Sequence, residues 1–324
     1  MSRAATTVGQ YLGVLVAAFT LNFLLPHLAP GDPVEFVLAS GGGLTEVQVE
    51  QVRAEFGLDR PLPVQYVVYW ADLVAGDLGT SVRFSQPVRT LLADRIGWTV
   101  LLAGTATLLS AALGTIAGVW AARRRRHRGD LKVVVGVLGV DAMPAFWIGM
   151  VLLGVFAVQL GWFPSFGAAP LSGSDAGWLP GVLHRLVLPA TTLVLATTGG
   201  VFLITRGATI ATMDEPWVAM ATVKGVGERR IALHHVLRPA LLPTYTHLVL
   251  RLGAILGGTV VVETVFAYPG LGRLMFEAAI ARDYPLLRGG FLLLTVGVVT
   301  ANLLADLTYP LLDPRARRAS RATP

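Results

Sequence analysis

The sequence contains no cysteine, so neither a disulfide nor a thiolate-based metal site is possible. Charge is also scarce. Only 14% of the 324 residues are Asp, Glu, Lys or Arg, against about 25% in a typical soluble chain. No GxxxxGK loop is present to cradle a nucleotide, and the Gly270 and Gly272 pair has no lysine after it. A dinucleotide fingerprint, a serine-hydrolase elbow and an HExxH helix are missing as well. His234, His235 and His247 lack acidic or cysteine companions at a metal-binding spacing. The sequence therefore reads as neither an enzyme nor a metal protein. It reads as a pathway without an engine, and such a pathway needs an energised partner to pump.

What the chain has in abundance is apolar length. Hydrophobic residues make up 54% of it, and the mean hydropathy is +0.63. Apolar runs of membrane-spanning length cover about 8–28, 96–121, 131–160, 186–205, 248–266 and 287–307. The first run follows Arg3 and resembles a signal peptide in outline, but its length favours a retained anchor. The 36 glycines suit close helix packing in lipid. These features predict an all-α polytopic membrane protein of six transmembrane helices.

Basic residues orient the chain. The connections on the side of both termini hold 17 of the 26 Lys and Arg, and the opposite connections hold 9. The bias places both termini in the cytoplasm. Arg123, Arg124, Arg125, Arg126 and Arg128 could bind nucleic acid in another setting. Lying between two spans, they read as a topology signal. The long outer region 30–95 carries nine acidic residues. In it, 46–56 reads as a short amphipathic helix and 65–73 as another, with Tyr66, Tyr69 and Trp70 placed for packing or for contact with a delivery protein. Gly76-Asp77-Leu78-Gly79 reads as a turn. Four regions follow: 1–29, the N-terminus and first span; 30–95, the outer loop; 96–310, the five-helix core; and 311–324, a basic tail.

Two stretches carry candidate function. In 212–243, Pro216 starts a short helix with Trp217, Val218 and Ala221 on one face, and Gly225 and Gly227 break it. A second helix, 228–237, precedes Pro239 and Pro243, which interrupt the chain. The pair forms a knob, either a docking element or a connecting loop. The third span is broken at Met143-Pro144-Ala145-Phe146-Trp147, with Asp141 just before the break. A carboxylate at depth faces an interior or a partner. Asp141, Met143, Pro144 and Phe146, with Gly253 and Gly257 of the fifth span, are path candidates, though glycines serve equally as helix contacts.

An ordered set of short motifs runs along nearly the whole chain. Pro30-Gly31-Asp32-Pro33, Gly57-Leu58-Asp59, Gln65-Tyr66, Gly76-Asp77-Leu78-Gly79, Met143-Pro144, Phe146-Trp147 and Leu188-Pro189-Ala190 come first. Glu263-Thr264, Pro269-Gly270-Leu271-Gly272, Arg282-Asp283-Tyr284-Pro285 and Asp313-Pro314-Arg315 follow. With them, the sequence resembles the inner-membrane permease subunits of dipeptide, oligopeptide and nickel ABC importers, the first permease of each pair in particular. The loop 207–247 then corresponds to the family's coupling loop (EAA, three residues, glycine, later LP). Ala219-Met220-Ala221 stands at EAA without its glutamate, Gly225 at the glycine, and Leu242-Pro243 at LP. The resemblance implies a type I importer permease fold in a bacterial inner membrane. It implies a second permease, two ATPase subunits or domains that bind ATP and Mg, and an extracytoplasmic substrate-binding protein. The cargo implied is a dipeptide or oligopeptide, or in closely similar systems a nickel chelate or another small solute. An ion-driven secondary transporter is the competing class. It predicts inverted repeats and midplane ion ligands.

Overall fold

The structure is a computed structural model and describes residues 3–28, 60–125, 128–170 and 177–312. The predicted helix over 46–56, the motifs at 30–33 and 57–59, and the tail with its Asp313-Pro314-Arg315 motif lie outside those residues. The described residues are helical throughout, apart from loops and one antiparallel bridge between Thr80 and Pro87. The helices are α1 (Arg3–Leu28), α2 (Leu62–Ala75), α3 (Val88–Arg123), α4 (Arg128–Asp141) and α5 (Ala145–Leu152). Then come α6 (Trp178–Met213), α7 (Pro216–Val223), the single turn α8 (Glu228–Arg230), α9 (Arg238–Val265), α10 (Leu271–Ile280) and α11 (Tyr284–Leu312). Two π-helical stretches, Leu153–Gln159 and Ile231–Leu237, extend α5 and join α8 to α9.

Among the described residues, α3, α6 and the Tyr284–Leu304 part of α11 are long and apolar enough to cross a membrane. α4 and α5 add a fourth span when taken as one pair, bent by 93°. α3 shows how such a helix divides its surface. Leu102, Ala106, Ser110, Gly114 and Gly118 recur every fourth residue and are buried, while Leu101, Leu108, Leu113 and Ile116 are exposed. Leucines left outside by every neighbouring helix are what a lipid-facing surface requires.

The chain divides into two compact units, residues 1–97 with 273–299, and residues 98–272 with 300–324. In the first, α2 lays its aromatic side on α1. Phe23 stacks against Tyr66 and Tyr69 with centroids 5.2 and 5.5 Å apart, and Phe19 meets Trp70 at 5.8 Å. The Thr20 and Tyr66 hydroxyls are 2.8 Å apart. Burial raises the pKa of the Tyr69 phenol above its usual value. Gly76 ends α2 with φ 74°, and the bond from the Asp77 N–H to the Asp72 carbonyl closes the cap. Asn22 donates to the Arg288 carbonyl at 2.9 Å, so it contacts another helix and does not bond within its own.

Asp283 sits at the start of α11 and is almost fully buried. Its carboxylate accepts from the Leu286 N–H at 3.2 Å, which caps the helix. It also accepts from the Ser81 hydroxyl at 2.5 Å and the Arg83 N–H at 3.1 Å. That one side chain therefore holds the 79–87 loop against the beginning of α11.

In the second unit α6 is the central helix, packed by α9, α4 and α5. Leu186, Leu193 and Val194 of α6 join Leu102 and Ala106 of α3, Val262 of α9, and Phe266 and Tyr268 in one buried cluster. Gly114 and Gly118, one turn apart on α3, face α6. A Cβ at 114 would lie 2.8 Å from the Val201 Cβ, and one at 118 would lie 2.8 Å from the Phe202 carbonyl oxygen. The two backbones approach this closely because both positions lack a side chain.

The prolines at 239 and 243 do not interrupt the chain, contrary to expectation. Pro239 occupies the first turn of α9, where a missing N–H costs little, and Pro243 is carried inside the helix.

A protruding helix and a broken span as the candidate functional site

The connection from α6 to α9 begins at Asp214. The Arg125 guanidinium grips Asp214 through two bonds of 2.8 and 2.6 Å, joining the basic run after α3 to the first residue past α6. That bond raises the Arg125 pKa further above its usual value. Pro216 then takes the first turn of α7, its fixed φ suited to a helix start. Nine residues on, Gly225 adopts φ 72°, a conformation glycine takes without strain. The Val226 N–H closes back on the Ala221 carbonyl at 3.1 Å.

The expected docking face divides. Val218 and Ala221 turn inward and are buried by this chain, because the one-turn α8 and the π-helical stretch fold back beneath α7. Within this chain the expected face of Trp217, Val218 and Ala221 is thus split between one exposed and two buried residues. The exposed apolar residues of α7 are Trp217, Met220 and Val223, spaced by three and exposed by 39%, 56% and 85%. Beside them lies an open groove of about 740 Å³ lined by Met213, Val218, Thr222, Val226, Ile231, Val236 and their neighbours, with Arg123, Glu228 and Arg229 at its charged positions. Pro243 lies on α9, away from this groove's lining.

The broken span behaves as Pro144 requires. α4 ends at Asp141, Pro144 takes an extended conformation at φ −60° and ψ 137°, and α5 restarts at Ala145. The Asp141 side chain presses against Gly199 of α6, where a Cβ would overlap its carboxyl group. Met143, Pro144 and Phe146 are exposed, and Trp147 with them, while Ile148 and Gly149 face the core. A Cβ at 149 would lie 3.2 Å from the Phe266 ring. Asp141 and Met143 are thus neighbours at one break. Gly253 and Gly257 lie on α9, in the stretch whose side-chain packing is outside the described residues.

One polar constellation was not assigned a role from sequence. Glu263 is fully buried near the end of α9. It accepts from the Thr99 hydroxyl at 2.8 Å, and the same hydroxyl accepts from the Leu271 N–H at 2.7 Å. Gly270 and Gly272 close over the carboxylate, so that a side chain at 270 would overlap it. Burial, and then the Glu263 charge, push the Tyr268 phenol far above its usual pKa. The spacing Glu263, Pro269-Gly270-Leu271-Gly272 was the available signal, since two glycines beside a helix start mark a close approach. Among the described residues, no three His, Asp or Glu side chains gather as a metal site.

Long apolar helices, one bent pair and a short helical connection between α6 and α9 define a polytopic membrane protein. The chain belongs to the family of binding-protein-dependent transport system inner membrane components. That family's description matches residues 114–318, and its N-terminal counterpart matches residues 4–103. Relatives match from end to end. A Brucella abortus (strain 2308) protein named as a peptide transport system permease is 39% identical over 96% of this chain and 97% of its own length. The glutathione transport system permease protein GsiC of Pectobacterium atrosepticum is 36% identical over 94% of each chain. The oligopeptide transport system permease protein AppB of Bacillus subtilis is 35% identical over 93% of this chain and 95% of its own. Among solved structures, an amino acid ABC transporter crystal structure matches with TM-score 0.47 and 14% identity, over 70% of this chain and 94% of that one.

Proposed function

We propose that this chain is the permease of an ATP-driven importer whose cargo is a dipeptide or oligopeptide. The observation that carries the reading is the end-to-end relationship to permeases named for peptide, oligopeptide and glutathione transport. The chain works beside a second related permease, two cytoplasmic ATPase subunits or domains that bind ATP and Mg, and an extracytoplasmic binding protein. Six helices cross the inner membrane with both termini inside, as the distribution of Lys and Arg supports. The protrusion 207–247 is then cytoplasmic, and α7 offers Trp217, Met220 and Val223 to the ATPase, with Gly225 setting the turn behind them.

The broken α4–α5 span lines the path. Backbone freed from hydrogen bonding at Pro144 is tolerated at membrane depth only where protein or a cavity meets it. Asp141, Met143 and Phe146 stand around that break, and Gly253 and Gly257 of α9 are further candidates for the path. The test is uptake by the reconstituted complex with its cognate binding protein, using a panel of short peptides and nickel chelates. ATP-dependent peptide uptake is the expected result. Nickel-chelate uptake without peptide uptake overturns the cargo, and uptake that follows an ion gradient and ignores ATP overturns the importer.

A further inference from the structure

We propose that α2 is a membrane-embedded interfacial helix whose outward stripe is covered by phospholipid acyl chains. The proposal rests on membrane insertion of the chain and not on its cargo or its partners. The stripe is Val64, Val67, Ala71 and Val74, all exposed, with Val67 at 67% and Val74 at 85%.

Depth comes from α1. That helix is apolar from Val8 to Leu24, and α2 touches it at Phe19, Thr20 and Phe23. Thr20 lies within the apolar run of about 8–28. The contact is therefore inside the apolar stretch and not beyond its end. α2 itself has 14 residues, about 21 Å of helix, too short to cross a hydrocarbon core of about 30 Å but suited to lying in one leaflet. With both termini inside, that leaflet is the outer one.

Around its axis α2 has three sides. Tyr66, Tyr69 and Trp70 face α1. Gln65 and Asp72, seven residues apart, share a narrow polar strip, and Asp72 is the helix's sole charge. The valine stripe occupies the remaining side. A helix lying flat at the interface presents such an arrangement, with protein on one flank, water along one strip and lipid on the rest. The aromatic trio suits the headgroup level. Leu21 and Leu24 of α1 are also exposed and continue the apolar surface past the contact. Three β-branched residues in the stripe leave no small-residue seam of the kind that draws helices together in a membrane. In water the stripe would stand as an uncovered apolar patch.

The absence of native cysteine makes the test direct. Single cysteines replace Gln65, Val67, Asp72 and Val74 in turn, each carrying a nitroxide. The full chain, with its complex, is reconstituted in phosphatidylcholine and phosphatidylglycerol vesicles. Collision with oxygen, which concentrates in lipid, is compared with collision with a water-soluble nickel chelate. The oxygen-to-nickel ratio is expected to be several-fold higher at 67 and 74 than at 65 and 72. Equal ratios at all four positions place the stripe in water and overturn the proposal. Immobile labels at 67 and 74 that neither reagent reaches place a protein partner there and overturn it as well.

Discussion

Glu263 shows how a single buried charge organises its surroundings. A carboxylate taken out of water is costly unless hydrogen bonds meet it, and Thr99 supplies one at 2.8 Å. Leu271 opens α10, so the carboxylate also lies near the positive end of that helix, which favours negative charge. Thr99→Val keeps the shape and removes both bonds of the hydroxyl. It is expected to lower stability by about 1–3 kcal/mol, read as a lower unfolding temperature in detergent, and an unchanged temperature would remove Thr99 from this role. Gly270→Ala is expected to be at least as damaging, because its methyl group falls on the carboxylate. Sequence placed Glu263 near a helix end and the two glycines in a loop. It did not pair Glu263 with Thr99, because the two are 164 residues apart and no local periodicity encodes that meeting.

At the scale of elements, the spans in α3, α6 and α11 were legible because their apolar runs have the length a bilayer crossing needs, and the break at Pro144 was legible because proline removes a donor. Continuity through Pro239 and Pro243 was not, since proline ordinarily ends or kinks a helix and both are carried within α9. The α3–α6 contact was only partly legible. Glycine abundance signalled close packing, but α3 carries Gly97, Gly104, Gly114 and Gly118, and only the last two face α6. That difference is testable. Gly118→Leu drives a side chain into the Phe202 carbonyl and is expected to destabilise by about 1–3 kcal/mol, with loss of monodisperse protein on size exclusion. A Cβ at Gly104 meets nothing within 4 Å, and Gly104→Leu is expected to leave the profile unchanged. Equal behaviour of the two variants would sink the close-contact reading.

For the whole molecule, the question is how work done elsewhere reaches a chain that has no nucleotide-binding loop. The exposed side of α7 is the surface proposed to receive it, and the burial pattern separates that surface from the scaffold beneath. Ala221→Glu buries an unpaired carboxylate under α7, so its expected effect is loss of thermal stability, with any uncoupling secondary to that. Met220→Glu and Val223→Glu add charge on the exposed side, where substitutions usually change stability by less than about 0.5 kcal/mol. Their expected effect is loss of co-purifying ATPase and of ATP-dependent uptake at an unchanged unfolding temperature. Measuring all three properties on each variant distinguishes a docking face from a structural loop. If both exposed variants retain the ATPase and full transport, α7 is a connection and the coupling surface lies elsewhere. If Ala221→Glu uncouples while its unfolding temperature holds, the inner face of α7 opens to the partner, and the groove beside Val218 is the surface that receives it.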